Sequence, residues 1–143
     1  MNNLIEARVR SEFFGYTHSF DRYFVQDGKQ VDRLELVDQH GILSPAEAGR
    51  CGIPYSKNTR ITMVGVQDYE EYIFLFPIRD SKDVPIGPGS ITVVLDASLP
   101  ILTPEDLRVK YGNSWGVLSR MYGGEVYTYQ KIDKSFIKEI RGV

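Results

Sequence analysis

The sequence predicts an α+β domain, and three observations lead there. Helix-type signals gather in the first third of the chain, whereas most strand-type runs come later, so the two do not alternate as a parallel sheet requires. Helix starts are written in capping grammar, as in Ser44-Pro45-Ala46-Glu47 and Thr103-Pro104-Glu105-Asp106. No repeat, low-complexity stretch or linker divides the 143 residues, which suits one domain over 1–143.

Taken in order, Ile5-Glu6-Ala7-Arg8-Val9-Arg10 alternates like a short strand, and Phe13 to Phe20 is rich in aromatic and β-branched residues and reads as extended. Asp27-Gly28 signals a turn. Val31, Leu34 and Val37 recur at helical spacing, with Asp32, Arg33, Glu35 and Asp38 left for a wet face, and Gly41 is placed to end that helix. Ser44-Pro45 opens a second short helix that Gly49 or Gly52 would stop. Strands are then expected at Arg60–Val66, Tyr72–Phe76 and, most clearly, Ile91–Asp96, with Pro85, Gly87, Pro88 and Gly89 in the loop before the last. Thr103-Pro104 starts a helix to about Lys110, Tyr111–Gly116 reads as a loop, and Gly124–Tyr129 and Phe136–Arg141 close the chain as strands.

Composition excludes several classes. Mean hydropathy is −0.25. Seventeen basic and nineteen acidic side chains leave a net charge of −2, which rules out a generally cationic nucleic-acid coat and leaves only a local basic groove open. The single Cys51 forms no internal disulfide, and no Cys/His group has zinc-ligand spacing. No run approaches a bilayer span, and the first residues lack the apolar core of a signal peptide, so a soluble cytoplasmic protein is expected. Aromatic residues make up 12%, nine of them Tyr, a side chain that suits both sheet surfaces and ligand clefts.

The strong catalytic motifs are missing: no phosphate-cradling Gly-x-x-x-x-Gly-Lys, no Gly-x-Gly-x-x-Gly after a strand, no Gly-x-Ser-x-Gly elbow. Two histidines are too few for a multi-histidine metal centre, and a lone cysteine beside a glycine turn reads as a packing residue before it reads as a nucleophile. Two other residues stand out. His18 lies in an aromatic strand, and Glu125 follows Gly123-Gly124 at the start of a late one, where backbone or ligand can approach closely. The plain alternatives are a half-buried aromatic partner for His18 and a solvent-facing strand residue for Glu125.

The order of elements adds more than either residue. Tyr16-Thr17-His18-Ser19, followed by a helix closing on Gln39-His40-Gly41-Ile42-Leu43-Ser44-Pro45, resembles the opening of ADP-ribosyltransferase-like domains, in which a histidine-bearing first strand precedes a helix ending in a Gly-Leu-Leu-type segment. Gly124-Glu125-Val126-Tyr127-Thr128-Tyr129, running on to Phe136-Ile137-Lys138-Glu139-Ile140, is similar to their late signature: a strand with the catalytic glutamate, a turn, and a closing Ile-x-x-Ile strand. Tyr72-Ile73-Phe74-Leu75-Phe76 resembles the strand that bacterial and phage nucleic-acid-modifying members place between these ends.

The resemblance implies a split β-sandwich with short N-terminal helices and NAD+ as co-substrate between two sheets. Breaking the nicotinamide–ribose bond builds positive charge on the sugar, as in glycosidases, and a nearby carboxylate stabilises it. The resemblance assigns that carboxylate to Glu125. It gives cofactor binding to His18, donating to a ribose hydroxyl, with Thr17 or Ser19 assisting. Tyr55 or Tyr72 would stack on nicotinamide, and Arg60 or Arg79 would contact the pyrophosphate. Arginine-modifying members carry a second acid two positions before the catalytic glutamate, and Gly123 stands there instead. The stretch from Tyr111 to Gly124 would face the acceptor, and its Trp115, Arg120 and Tyr122, beside Lys110, interleave cations with rings as a single-stranded base platform requires.

The expected function is therefore mono-ADP-ribosylation of a macromolecule, nucleic acid ahead of protein, in toxin–antitoxin or phage–host conflict, with a cognate antitoxin or inhibitor as partner. The alternative from another class is a non-catalytic nucleotide- or protein-binding module on the same scaffold. An RNA 2′-phosphotransferase is disfavoured, because no arginine constellation for the phosphate can be placed.

Overall fold

The computed structural model describes residues 6–55, 68–80, 82, 90–112 and 124–142. The chain runs β1 (Gly15–Asp21), β2 (Tyr23–Gln26), β3 (Lys29–Asp32), α1 (Arg33–His40), β4 (Ile42–Leu43), α2 (Pro45–Arg50), β5 (Tyr72–Ile78), β6 (Ser90–Asp96), α3 (Pro104–Tyr111), β7 (Val126–Tyr129), β8 (Lys131–Ile132) and β9 (Ile137–Arg141). Short 3-10 turns occupy Tyr69–Glu71 and Lys134–Phe136. The result is a mixed α+β domain with a mostly antiparallel sheet and few helices. Among the described residues no helix is long and apolar enough to cross a membrane.

Local chemistry accounts for the helices. The Asp32 carboxylate accepts from Leu34 N–H and starts α1, and Gly41, at φ +75°, ends it while donating its N–H to the Val37 carbonyl. Ser44 Oγ accepts from Glu47 N–H at the head of α2. Glu47 does not reach back to complete a box, because its carboxylate is held by Arg50 and Cys51. At α3 the box is complete: Thr103 Oγ1 accepts from Asp106 N–H, and the Asp106 carboxylate accepts from Thr103 N–H.

The central sheet has five strands in the order β7-β5-β1-β6-β9, antiparallel throughout. Side chains alternate across it. One face carries Tyr16, Phe20, Ile73, Leu75, Ile91, Val93, Leu95 and Val126 into the main core, covered by Val37, Ile42 and Ile132. The other face turns Tyr72 and Tyr127 toward Leu102 and Leu107 in a second cluster.

Two small ladders complete the architecture. β2 and β3 form a hairpin whose Asp27 (φ +53°) and Gly28 (φ +75°) give the left-handed pair that a tight two-residue turn demands. β4 pairs with β8 through Ile42–Ile132 and Leu43–Lys131.

Some expectations shift. The predicted strand over Ile5–Arg10 reduces, in its described part, to one bridge between Arg8 and Ile101, whose backbone groups exchange both hydrogen bonds. Val31 belongs to β3 rather than to the helix, which begins only after the Asp32 cap. Tyr111 is the last residue of α3, not loop. The strand expected at Arg60–Val66 and the Pro85–Gly89 loop lie outside the described residues.

Candidate functional site

The sheet is not zipped evenly. β1 pairs with β6 over seven residue pairs, from Gly15–Asp96 to Asp21–Ser90. With β5 it pairs over three: Gly15–Ile78, Tyr16–Pro77 and Thr17–Phe76. The rest of β5, Tyr72 to Leu75, pairs with β7. β5 lies between these two strands, with β7 on one edge and β1 on the other; its ladder with β1 begins only at Phe76, and ahead of that point β1 and β5 part. A cleft of about 470 Å³ opens at the fork, with His18 and Phe20 on one wall, Ile73 and Phe74 on the other, and Arg33, Val37 and His40 of α1 contributing as well.

His18 sits at the apex. It is the first β1 residue beyond the last β5 pair, and its ring takes the place of the missing ladder bond. Nδ1 donates to the Phe74 carbonyl oxygen at 3.0 Å, since a carbonyl only accepts. Burial holds its pKa below the ordinary 6.5, with a further push from the Arg33 charge and an opposing pull from the Phe74 bond. A neutral ring whose single proton is on Nδ1 offers Nε2 as an acceptor. This reverses the direction expected from the sequence: toward a sugar hydroxyl, His18 accepts.

The structure brings together in the cleft five of the residues picked out for a cofactor: Thr17, His18, Ser19, Tyr55 and Tyr72. Their roles differ from the expectation. Thr17 Oγ1 donates to the Phe76 carbonyl at 3.3 Å, and Ser19 Oγ pairs with Thr92 Oγ1 at 2.9 Å, so both hydroxyls already have partners. Tyr72 is only 2% exposed; its ring is met edge-on by Tyr111 and Tyr129, and its hydroxyl is 2.7 Å from that of Tyr111. Burial and that bond raise its pKa well above the ordinary range. A ring so enclosed has no open face for stacking. Tyr55 is partly exposed.

Glu125 stands one residue ahead of the Leu75–Val126 pair, so the ladder brings its backbone beside Phe76, on the edge of β5 away from β1. It is completely buried. Its side chain is not among those lining the cleft, and strand alternation puts it with Tyr127 on the face opposite His18. The two candidates are thus one strand apart, with β5 between them. A buried carboxylate costs folding free energy, and sites that use its charge are where such a group is kept.

Arg79 lies past the end of β5, exposed and over the Phe13 ring at 5.4 Å, so it is not in the cleft. Lys110 lies over Tyr111 at 5.6 Å on α3. Arg60, Trp115, Arg120 and Tyr122 fall outside the described residues. Cys51 donates to Glu47 at 3.4 Å, and that carboxylate raises its pKa, which keeps it a thiol and a poor nucleophile.

Sequence reading missed Arg33 and Phe24. Arg33 was placed on the wet face of the helix, yet its guanidinium carbon lies over the Phe20 ring at 5.5 Å and the Phe24 ring at 4.9 Å, inside the cleft. The signal was present. Asp27-Gly28 as a two-residue turn fixes the hairpin register and folds Phe24 back toward the start of α1.

Comparison with protein-family models, with curated proteins and with solved structures found no match.

Proposed function

We propose that this protein is an NAD+-dependent mono-ADP-ribosyltransferase whose cleft at the β1–β5 fork takes the dinucleotide. The carrying observation is the fork itself: a sheet that opens beside a histidine, with Glu125 one strand away, next to the Leu75–Val126 pair on the other edge of β5. The element order supports the reading, because a histidine strand, a helix ending at Gly41, a strand led by Glu125 and a closing strand follow in the expected sequence. β5 lies between the histidine strand and the glutamate strand.

In the proposed reaction the C1′–nitrogen bond of NAD+ breaks, nicotinamide leaves with the bonding pair, and a nucleophilic atom of the acceptor attacks C1′ and releases its proton. His18 Nε2 accepts from a ribose hydroxyl and fixes the sugar. The Glu125 carboxylate stabilises the developing positive charge once its side chain is directed to the fork. Nucleic acid is favoured as acceptor on the cations and rings of the 111–124 stretch, and toxin–antitoxin or phage–host conflict is the setting in which such activity fits.

Nicotinamide release from NAD+ tests this directly. Glu125→Gln keeps the shape and removes the charge, so activity is expected to fall at least about a hundredfold with the thermal midpoint little changed. Wild-type turnover in that variant would sink the assignment. One observation favours the second reading, a non-catalytic nucleotide-binding module: the Glu125 side chain does not line the cleft. NAD+ binding by calorimetry with no cleavage over hours would establish that module instead.

A further inference from the structure

We infer that Arg33 is the anion-recognising residue of the cleft, taking the phosphate groups of a nucleotide whose sugar lies at His18. The inference deepens the transferase reading and rests on it for the sugar, but it is built on observations of its own.

The first is how Arg33 is held. Its guanidinium lies over the Phe20 ring at 5.5 Å and the Phe24 ring at 4.9 Å. Such ring contacts attract the guanidinium charge without using any of its five N–H donors, which stay in the guanidinium plane for an acceptor. The backbone makes the arrangement rigid. Phe20 is fixed in β1 opposite Ile91, Phe24 is fixed in the β2–β3 hairpin opposite Val31, and Arg33 N–H donates to the Arg22 carbonyl at 2.7 Å.

The second is what Arg33 lacks. Arg10, Arg22, Arg50, Arg108 and Arg141 each form an ion pair with a carboxylate. Arg33 forms none among the described residues. The Asp21 charge is felt nearby, but burial outweighs it and the net effect lowers the Arg33 pKa. A partly desolvated guanidinium that no described carboxylate pairs with is a site for an external anion. Glu70, the one acid among the described lining residues, is already the acceptor of the Tyr69 hydroxyl at 3.2 Å.

The third is position. The Phe20 ring is 5.8 Å from the His18 ring and 5.5 Å from the Arg33 guanidinium carbon, so imidazole and guanidinium share one aromatic neighbour in the same cleft. A sugar hydroxyl on Nε2 and phosphate oxygens on the Arg33 edge are what a nucleoside diphosphate presents together. An uncharged nucleoside offers only the first.

The test titrates wild type, Arg33→Gln and Arg33→Lys with ADP, inorganic pyrophosphate and adenosine by calorimetry, with circular dichroism on each variant. Arg33→Gln is expected to weaken ADP at least about tenfold, abolish pyrophosphate binding and leave adenosine unchanged. Arg33→Lys restores charge without the fork and recovers only part. ADP affinity equal to wild type in Arg33→Gln, or an equal loss for adenosine, overturns the inference, as does a wild type that binds neither ADP nor pyrophosphate. NAD+ cleavage separates the two proposals. Arg33-dependent ADP binding without cleavage sinks the transferase and keeps Arg33. Cleavage with an unchanged KM for NAD+ in Arg33→Gln sinks Arg33 and keeps the transferase.

Discussion

On its β6 side β1 is zipped along its full length, with Tyr16, His18 and Phe20 opposite Leu95, Val93 and Ile91 in turn. On its β5 side the ladder stops after three pairs, and an imidazole rather than a backbone N–H satisfies the next carbonyl. The same strand thus has a structural edge and a chemical edge. Where backbone pairing ends, side chains must do the hydrogen bonding, and the polar groups able to act on a ligand collect there.

If that division is real, substitutions on the two edges must separate stability from binding. The largest stability effect belongs to the zipped edge. Leu95 is fully buried between β1 and β9, so Leu95→Ala is expected to cost about 2–5 kcal/mol, on the order of 10 °C in the thermal midpoint. Phe24→Ala, on the partly exposed cleft wall, should cost clearly less and instead weaken nucleotide binding; equal midpoint losses would erase the distinction. Gly41→Ala comes next at about 2–3 kcal/mol, because its φ is +75° and an added Cβ would run into the Ile132 carbonyl oxygen.

His18 gives the sharpest comparison, since it should affect both properties. His18→Ala removes the imidazole bond to the Phe74 carbonyl, at a cost of about 0.5–1.5 kcal/mol seen in urea unfolding, and removes the acceptor from the cleft. Its titration has a definite sign. Burial lowers the folded pKa below 6.5, so between the two pKa values the unfolded chain binds more protons. The stability His18 contributes is complete above about pH 6.5 and is lost as the pH falls through the folded pKa. His18→Gln should flatten that part of the stability–pH curve; an unchanged slope would show that the ring is not held neutral. The smallest effect is remote. Thr103→Ala removes the cap of α3 for about 1 kcal/mol and should leave nucleotide affinity untouched.

What could be read in advance follows the range of the forces involved. The α2 and α3 starts and the Gly41 stop were legible because caps are decided within four residues. β5, β6 and β9 were legible from continuous apolar or β-branched runs. The β2–β3 hairpin was missed although its turn was recognised, since four-residue strands with one half-buried face carry little pattern. β4 and β8, two residues each, carry none. His18, Tyr55 and Tyr72 were placed in one cleft, but the fork that makes it depends on where the β1–β5 ladder stops, at Thr17 and Phe76, a pairing set between distant segments. For the same reason Tyr72 looked available and is enclosed by Tyr111 and Tyr129, whereas Arg33 looked solvent-bound and lies between two rings.

The short β4–β8 ladder has a mechanical meaning. Ile42 and Leu43 follow directly from α1, Lys131 and Ile132 follow directly from β7, and Ser44 N–H adds a bond to the Gln130 carbonyl at 2.8 Å. The helix that roofs the hollow and the strand that begins after Glu125 are therefore strapped to one another across the gap. A shift of α1 draws directly on the turn at Gln130, five residues after Glu125.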